Sequence, residues 1–298
     1  MAGQANSIVF DRDFAPPYGV AESVSPLIAR IVCCNPGAFT FRGTATYLIG
    51  GPSLLIVDPG PDDDEHLNAL SAATAGRRVT HILITHTHLD HSPLAKRLKA
   101  ATGAVTVGFG PHGSGRSRTD GVLEAGADHE FTPDLCLSDG DALAGAGVRI
   151  RAVFTPGHTS NHMAYAVEDE KALLCGDHVM AWSTSVIVRP DGRMGDYLAS
   201  LEKLLRRDDE VYWPAHGSPV RTPRALVRAL IAHRMMRRAA ILELLKEAPQ
   251  TAAALVAQMY PGLEPALIGA ARQSTLAQLE HLIEQGIARS DGSLYFLA

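Results

Sequence analysis

Short apolar runs closed by turn residues recur along the first two thirds of the chain, and such runs predict strands rather than helices. Pro26–Val32, Tyr47–Gly50 and Leu54–Val57 are the first three, the last two parted by a Gly51-Pro52-Ser53 turn. Ile82–Ile84, Val105–Val107, the alternating Val148–Phe154, Met163–Val167, Ala172–Cys175 and Val211–Pro214 follow. Helical spacing predicts an amphipathic helix over His66–Thr74 and another over Pro93–Ala101, with Ser92 as its N-cap. Residues 1–25 read as an irregular arm, and Gly108–Gly121, with five glycines and a proline, as a mobile loop. After Pro214, Pro219 and Pro223 the period becomes helical, through residue 247, then over Ala252–Met259 and Ile268–Glu284. Gly286 is placed to cap the last helix, and Arg289–Phe296 reads as a small hairpin. A boundary at 222/223 thus divides the chain into residues 1–222 and 223–298.

Polar residues of two kinds stand where the predicted strands end. Ile82–Ile84 runs into Thr85-His86-Thr87-His88-Leu89-Asp90-His91. An extended segment sends residues i and i+2 to one side, so His86 and His88 converge on one point, with Asp90 and His91 facing a neighbouring one. Val148–Phe154 leads to Thr155-Pro156-Gly157-His158, Ala172–Cys175 to Gly176-Asp177-His178, and Val211–Pro214 to Ala215-His216-Gly217. Imidazole and carboxylate together suit zinc, or iron or manganese if the site is harder. Asp58, closing Leu54–Val57, reads equally as a turn former or as a partner that orients a metal-bound histidine. Arg116 and Arg118 can reach an anionic substrate from the glycine-rich loop, where His112 reads as a surface histidine. His233 and Arg234 are candidates for a proton donor or an anion contact at the rim of the site.

Composition changes this picture little. With 46% hydrophobic and 20% charged residues, the chain has the make-up of an ordinary globular protein. A net charge of −5 argues against a general polyanion-binding surface. Cys33, Cys34, Cys136 and Cys175 form no C-x-x-C pair, and reduced thiols in a cytoplasmic protein are expected. No apolar run approaches the ~18 residues of a membrane span. The first twenty residues, with Asp11, Arg12 and Asp13, do not read as a signal peptide.

The ordered set His86-x-His88-x-Asp90-His91, His158, Asp177 and His216, preceded by Asp58, resembles that of the metallo-β-lactamase superfamily. The resemblance covers residues ~25 to ~222 and implies an α+β fold, an αββα sandwich with the metal site on one edge. It implies that His86, His88 and His158 bind one metal, that Asp90, His91 and His216 bind a second, and that Asp177 bridges them. Two Zn2+ (or Fe or Mn) would then carry a bridging hydroxide as nucleophile, with Asp90 orienting it. His162 and His178 would support ligands or face substrate. Within the superfamily, a glyoxalase II-like thioesterase shares all seven ligands, and the mononuclear persulfide dioxygenases are the redox alternative. The true zinc β-lactamases lack an equivalent of Asp177, so antibiotic hydrolysis is not expected.

The helical C-terminal region resembles a winged helix. From Leu226 onward, seven Lys/Arg face six Asp/Glu, and the candidate recognition helix offers Arg272 against Glu280 and Glu284. A DNA-reading helix presents a basic face, so packing or a homodimer is expected rather than double-stranded DNA. A metallo-β-lactamase domain followed by a winged helix resembles the β-lactamase-like protein 2 branch. Phe39–Thr44, Gly176–Thr184 and His233-Arg234 carry that likeness; Ala45 departs from it, since asparagine more often follows Gly-Thr there. The branch implies an endoribonuclease acting on single-stranded RNA, with hydrolysis of thioesters or other small esters as the alternative. A non-catalytic nucleic-acid-binding or scaffolding protein is the third reading, against which seven converging ligands speak.

Overall fold

The computed structural model describes residues 8–116, 124 and 126–298. One sheet takes its strands in chain order: β1 (Glu22–Ser23), β2 (Ile28–Val32), β3 (Ala45–Gly50), β4 (Ser53–Val57), β5 (Arg78–Leu83), β6 (Val105–Gly108) and β7 (Leu135–Cys136). It is antiparallel as far as β4 and parallel beyond. The second sheet is an antiparallel meander of β8 (Ala142–Gly145), β9 (Val148–Phe154), β10 (Met163–Val167) and β11 (Ala172–Gly176). Its last strand, β12 (Val211–Pro214), joins β11 in parallel.

The central strands are covered on both faces, which is why β3, β4, β10 and β11 read as unbroken apolar runs. In β4, Leu55 and Val57 join Ile150, Met163, Tyr165 and Trp213 in the core between the sheets. Leu54 and Ile56, one residue out of phase, pack with Leu70 of helix α1 (Asp64–Thr74) and Leu98 of α2 (Ala95–Thr102). The far face of the second sheet is covered by α3 (Met194–Leu204) and by the first half of α4 (Pro223–Glu247), through Tyr197, Leu201, Val227 and Leu230. The result is the αββα sandwich. Ile241 and Leu245, from the second half of α4, instead join α5 (Ala252–Met259), α6 (Pro265–Glu284) and the hairpin β13 (Ala288–Ser290)–β14 (Tyr295–Leu297) in a separate core. One helix therefore serves two cores, and the 222/223 line falls at its first residue.

Two local expectations change. α2 begins at Ala95 rather than Pro93, because the Ser92 hydroxyl donates to Asp128 Oδ2 (2.7 Å) instead of capping the helix. α1 begins at Asp64, earlier than its apolar pattern, because Asp63 accepts from His66 N and caps it. Helix α3 and the edge strand β8 were not anticipated.

The strand directions decide where the site lies. β4 and β5 run parallel and end on the same edge of their sheet; β9, β11 and β12 likewise share an edge of theirs. Met163 N donating to Thr85 O (2.7 Å) and Ala45 N donating to Ala215 O (2.8 Å) bring the two edges together.

Candidate metal centre

On that common edge the residues after β5, β9, β11 and β12 meet. The ligand atoms of His86, His88 and His158 lie within 4.8 Å of one another, as do those of Asp90, His91 and His216. Asp177 faces both groups: Oδ1 is 3.3 Å from His216 Nε2 and 3.6 Å from His91 Nε2, while Oδ2 is 3.7 Å from His158 Nε2. Local chemistry makes this convergence. Gly157 allows the tight turn before His158 with φ +135°, where a Cβ would sit 2.3 Å from the Tyr197 backbone.

The outer nitrogens of the five imidazoles decide what the inner ones present. His158 Nδ1 faces the Val186 carbonyl (2.6 Å), His88 Nε2 the Glu124 carboxylate (2.9 Å), and His216 Nδ1 the Gly43 carbonyl (3.2 Å). His91 Nδ1 faces Asp58 Oδ2 (3.0 Å). The Thr85 hydroxyl donates to Asp58 Oδ2 (2.6 Å), so it accepts from His86 Nδ1 (3.1 Å). Each outer nitrogen is thus the N–H, so that in the neutral ring the inner nitrogen carries a lone pair. Three of those lone pairs meet at 2.9 Å (His86 Nε2 to His88 Nδ1) and 3.1 Å (His158 Nε2 to His88 Nδ1) with no protein donor between them. Buried His91 Nε2 and Asp177 Oδ1 have no hydrogen-bond partner. Such a set fits cations and little else.

Electrostatics follow the same division. Burial, then the neighbouring imidazoles, push His86 well below the usual histidine range, and His158 falls to about 4. Burial would also lower His91 and His216, but the carboxylates facing them prevail: His91 rises well above its usual value and His216 to about 10. Burial likewise opposes ionisation of Asp90 and Asp177, yet His91 and His216 hold both below the usual carboxylate range.

The supporting residues divide more sharply. Asp58, in the left-handed region at φ 48°, accepts from Thr85 N (2.7 Å) and faces His91, which is the orienting geometry. His162 and His178 are fully buried. His162 lies against the His86 ring, and His178 against Tyr197. Arg234 is not at the rim. Only 3% exposed, it lies over the Tyr197 ring and donates to the Ser185 carbonyl, because this face of α4 packs inward. The ring contact made by His233 is with Arg237 of the same helix. Arg116 is half-buried, and Arg118 lies outside the described residues. His112 is not a surface histidine: its side chain is 8% exposed, because Asn161 Nδ2 binds the Gly110 and Pro111 carbonyls and draws that loop inward.

Sequence reasoning missed Glu124, Thr44 and Asn35. Thr44 Oγ1 donates to Asp90 Oδ2 (3.1 Å), and Asn35 fixes Thr44 through its hydroxyl (3.0 Å) and backbone N–H (2.8 Å). Thr44 lies in the Phe39–Thr44 stretch; Asn35 and Glu124 are single polar residues in loops and carry no signal. Beside His216, Gly217 packs on Trp182, whose ring stacks on Phe41 at 4.8 Å.

Comparison with known proteins agrees with this geometry. The description of the metallo-beta-lactamase superfamily matches residues 39–216, and that of the beta-lactamase associated winged helix domain matches 251–295. Lactamase-like protein adaB of Aspergillus niger is 31% identical over 78% of this chain and 68% of its own length. An atrochrysone carboxyl ACP thioesterase of Paecilomyces divaricatus is 31% identical over 69% of this chain and 60% of its own. A crystal structure of a metallo-beta-lactamase family protein from Thermus thermophilus superposes with a TM-score of 0.76 at 27% identity, covering 93% of this chain and all (100%) of that one. The chain thus spans 60–68% of the length of those two fungal relatives.

Proposed function

The chain belongs to the metallo-beta-lactamase superfamily, and from that premise we propose that it is a dinuclear metal-dependent hydrolase acting on acyl thioesters. The observation that carries the metal-dependent reading is the convergence of imidazole lone pairs with no donor between them. His86, His88 and His158 would hold one cation, and Asp90, His91 and His216 the other. Asp177, with one oxygen toward each trio, would bridge them. Zinc suits this mixed nitrogen and oxygen set, and iron or manganese fit it too. Two divalent cations so held bring the pKa of bound water from ~15.7 towards 7 and withdraw charge from a carbonyl oxygen.

The chain's own residues orient the reactants. Asp90 is the carboxylate most open to solvent, with its side chain 25% exposed against 10% for Asp177. Its Oδ2 is taken by Thr44, His91 and His216, which leaves Oδ1 to take a proton from attacking water. The C–S bond then breaks, the acyl carbon gains the oxygen, and the proton passes to the departing sulfur.

Thioesters are favoured over RNA by the surroundings. The stacked Phe41–Trp182 pair offers an apolar surface beside His216, suited to an acyl group. Of the arginines expected to reach an RNA phosphate, Arg234 is buried against Tyr197 and does not reach the rim. The likeness to a thioesterase supports the same choice. The test is a panel offered to the metal-loaded chain: acyl-pantetheine thioesters, matching oxyesters and labelled single-stranded RNA. Thiol release well above the other two is expected; RNA cleavage without thiol release would reverse the assignment.

A further inference from the structure

Beside the seven-ligand centre lies a second buried cluster that the reaction does not use. His112 Nε2 is 3.8 Å from Glu124 Oε2 and 4.0 Å from Asp191 Oδ2. All three side chains are more than nine-tenths buried, at 8%, 8% and 3% exposure. Those separations are too long for hydrogen bonds in either tautomer of His112. Among the described residues, Glu124 Oε2 and Asp191 Oδ1 have no hydrogen-bond partner. Among the described residues, no lysine or arginine pairs with either carboxylate; their only ion-pair contacts are His88 and His112.

The remaining atoms of the cluster are occupied. Glu124 Oε1 faces His88 Nε2 (2.9 Å), Asp191 Oδ2 accepts from Ser160 N (2.7 Å), and His112 Nδ1 meets the Thr87 hydroxyl (3.0 Å). Thr87 Oγ1 is itself fixed by Asn161 Nδ2 (3.0 Å). What stays unpaired among the described residues is Glu124 Oε2, which faces His112 Nε2, and Asp191 Oδ1, on the carboxylate whose other oxygen faces that same nitrogen. Burying two carboxylates without a compensating cation is costly.

We propose that His112, Glu124 and Asp191 form a third divalent-cation site, distinct from the seven-ligand centre and adjoining it through Glu124. The ligand atoms lie within 4.8 Å of one another, so a small inward movement closes them on one ion. One nitrogen and two carboxylate oxygens make a harder set than three imidazoles, suited to Mn2+ as well as Zn2+. Three protein ligands leave coordination positions for water. Glu124, with one oxygen toward His88 and the other toward this cluster, joins the two sites.

The test counts and locates metal without reference to turnover. The full chain, stripped by chelation and reloaded with Mn2+, is analysed for metal content and crystallised for anomalous scattering. An anomalous peak between His112, Glu124 and Asp191 is expected in the wild type. His112→Phe and Asp191→Asn, the latter able to keep the Ser160 contact, should each lose that peak and one ion per chain. Circular dichroism establishes that both variants are folded. His216→Ala should instead lose density in the main centre and keep the third peak, so failure of the dinuclear reading is told apart from failure of this one. Wild-type crystals with no peak in the cluster, or folded variants that keep it, would overturn the proposal.

Discussion

Asp90 differs from the other side chains of the centre in what it exchanges with solvent. Asp90→Asn keeps its shape and removes its basicity, so thioester turnover should fall by roughly 10²–10⁴-fold while the fold is kept, read by steady-state kinetics beside circular dichroism. Asp58 acts one step further out, through His91. Asp58→Asn should weaken metal affinity by about 10–100-fold, measured by competition with a chelator, with Asp90 untouched. His216, raised to about 10 by Asp177 and Asp90 against its burial, holds a proton in the metal-free chain at neutral pH. Metal uptake must release that proton, so affinity should fall as pH falls, and calorimetry in two buffers should show proton release. His66, which meets the Thr46 hydroxyl rather than a ligand, has the opposite sign. Burial lowers it to about 4, so below ~6.5 the unfolded chain takes up a proton that the folded chain refuses. Stability is lost between those two values as pH falls, and His66→Gln should flatten that acid limb in a thermal-unfolding series.

At the scale of elements, α4 reaches the metal ligands only through the Ser185–Val186 segment. Arg234 on α4 holds the Ser185 carbonyl; the Ser185 hydroxyl donates to the carbonyls of Asp177 (2.5 Å) and His178 (2.8 Å). The next carbonyl, Val186, orients His158. Arg234→Ala leaves the Ser185 carbonyl without its donor, at a cost of about 1–3 kcal/mol. Lowered unfolding temperature together with weaker metal binding is expected; weaker binding should be absent if α4 serves only as packing. The strands were legible because layers on both sides keep their residues apolar, as in Leu54–Val57. The ligand set was legible because each member follows the end of β4, β5, β9, β11 or β12 by a few residues. β8, an Ala-Leu-Ala-Gly edge strand, is too bland to read. The buried Met194, Tyr197, Leu201 and Leu204 of α3 do have helical spacing, and that signal was there to be used. Glu124 and Asp191 were not legible, because one carboxylate in a loop takes its meaning only from distant neighbours.

The whole molecule is more tightly joined than a catalytic domain with an appendage. Val227 and Leu230 of α4 and Ala277 of α6 belong to the core over the second sheet. Glu280 and Glu284 of α6 pair with Arg189 and Arg193 of the preceding domain, so that acidic helix face is already engaged. Fully burying one Val or Leu contributes about 1.5–3 kcal/mol, so a chain ended at residue 222 should unfold at a lower temperature than the full chain or fail to stay in solution. Among the described residues no helix is long and apolar enough to cross a membrane. The most direct test of the central reading strips the full chain with a chelator, restores Zn2+ or Mn2+, and follows thiol release from an acyl-pantetheine, with Asp90→Ala beside the wild type. Activity lost on stripping, regained with metal and absent in Asp90→Ala is the predicted result. Thiol release that survives metal removal, or that Asp90→Ala retains in full, would contradict it.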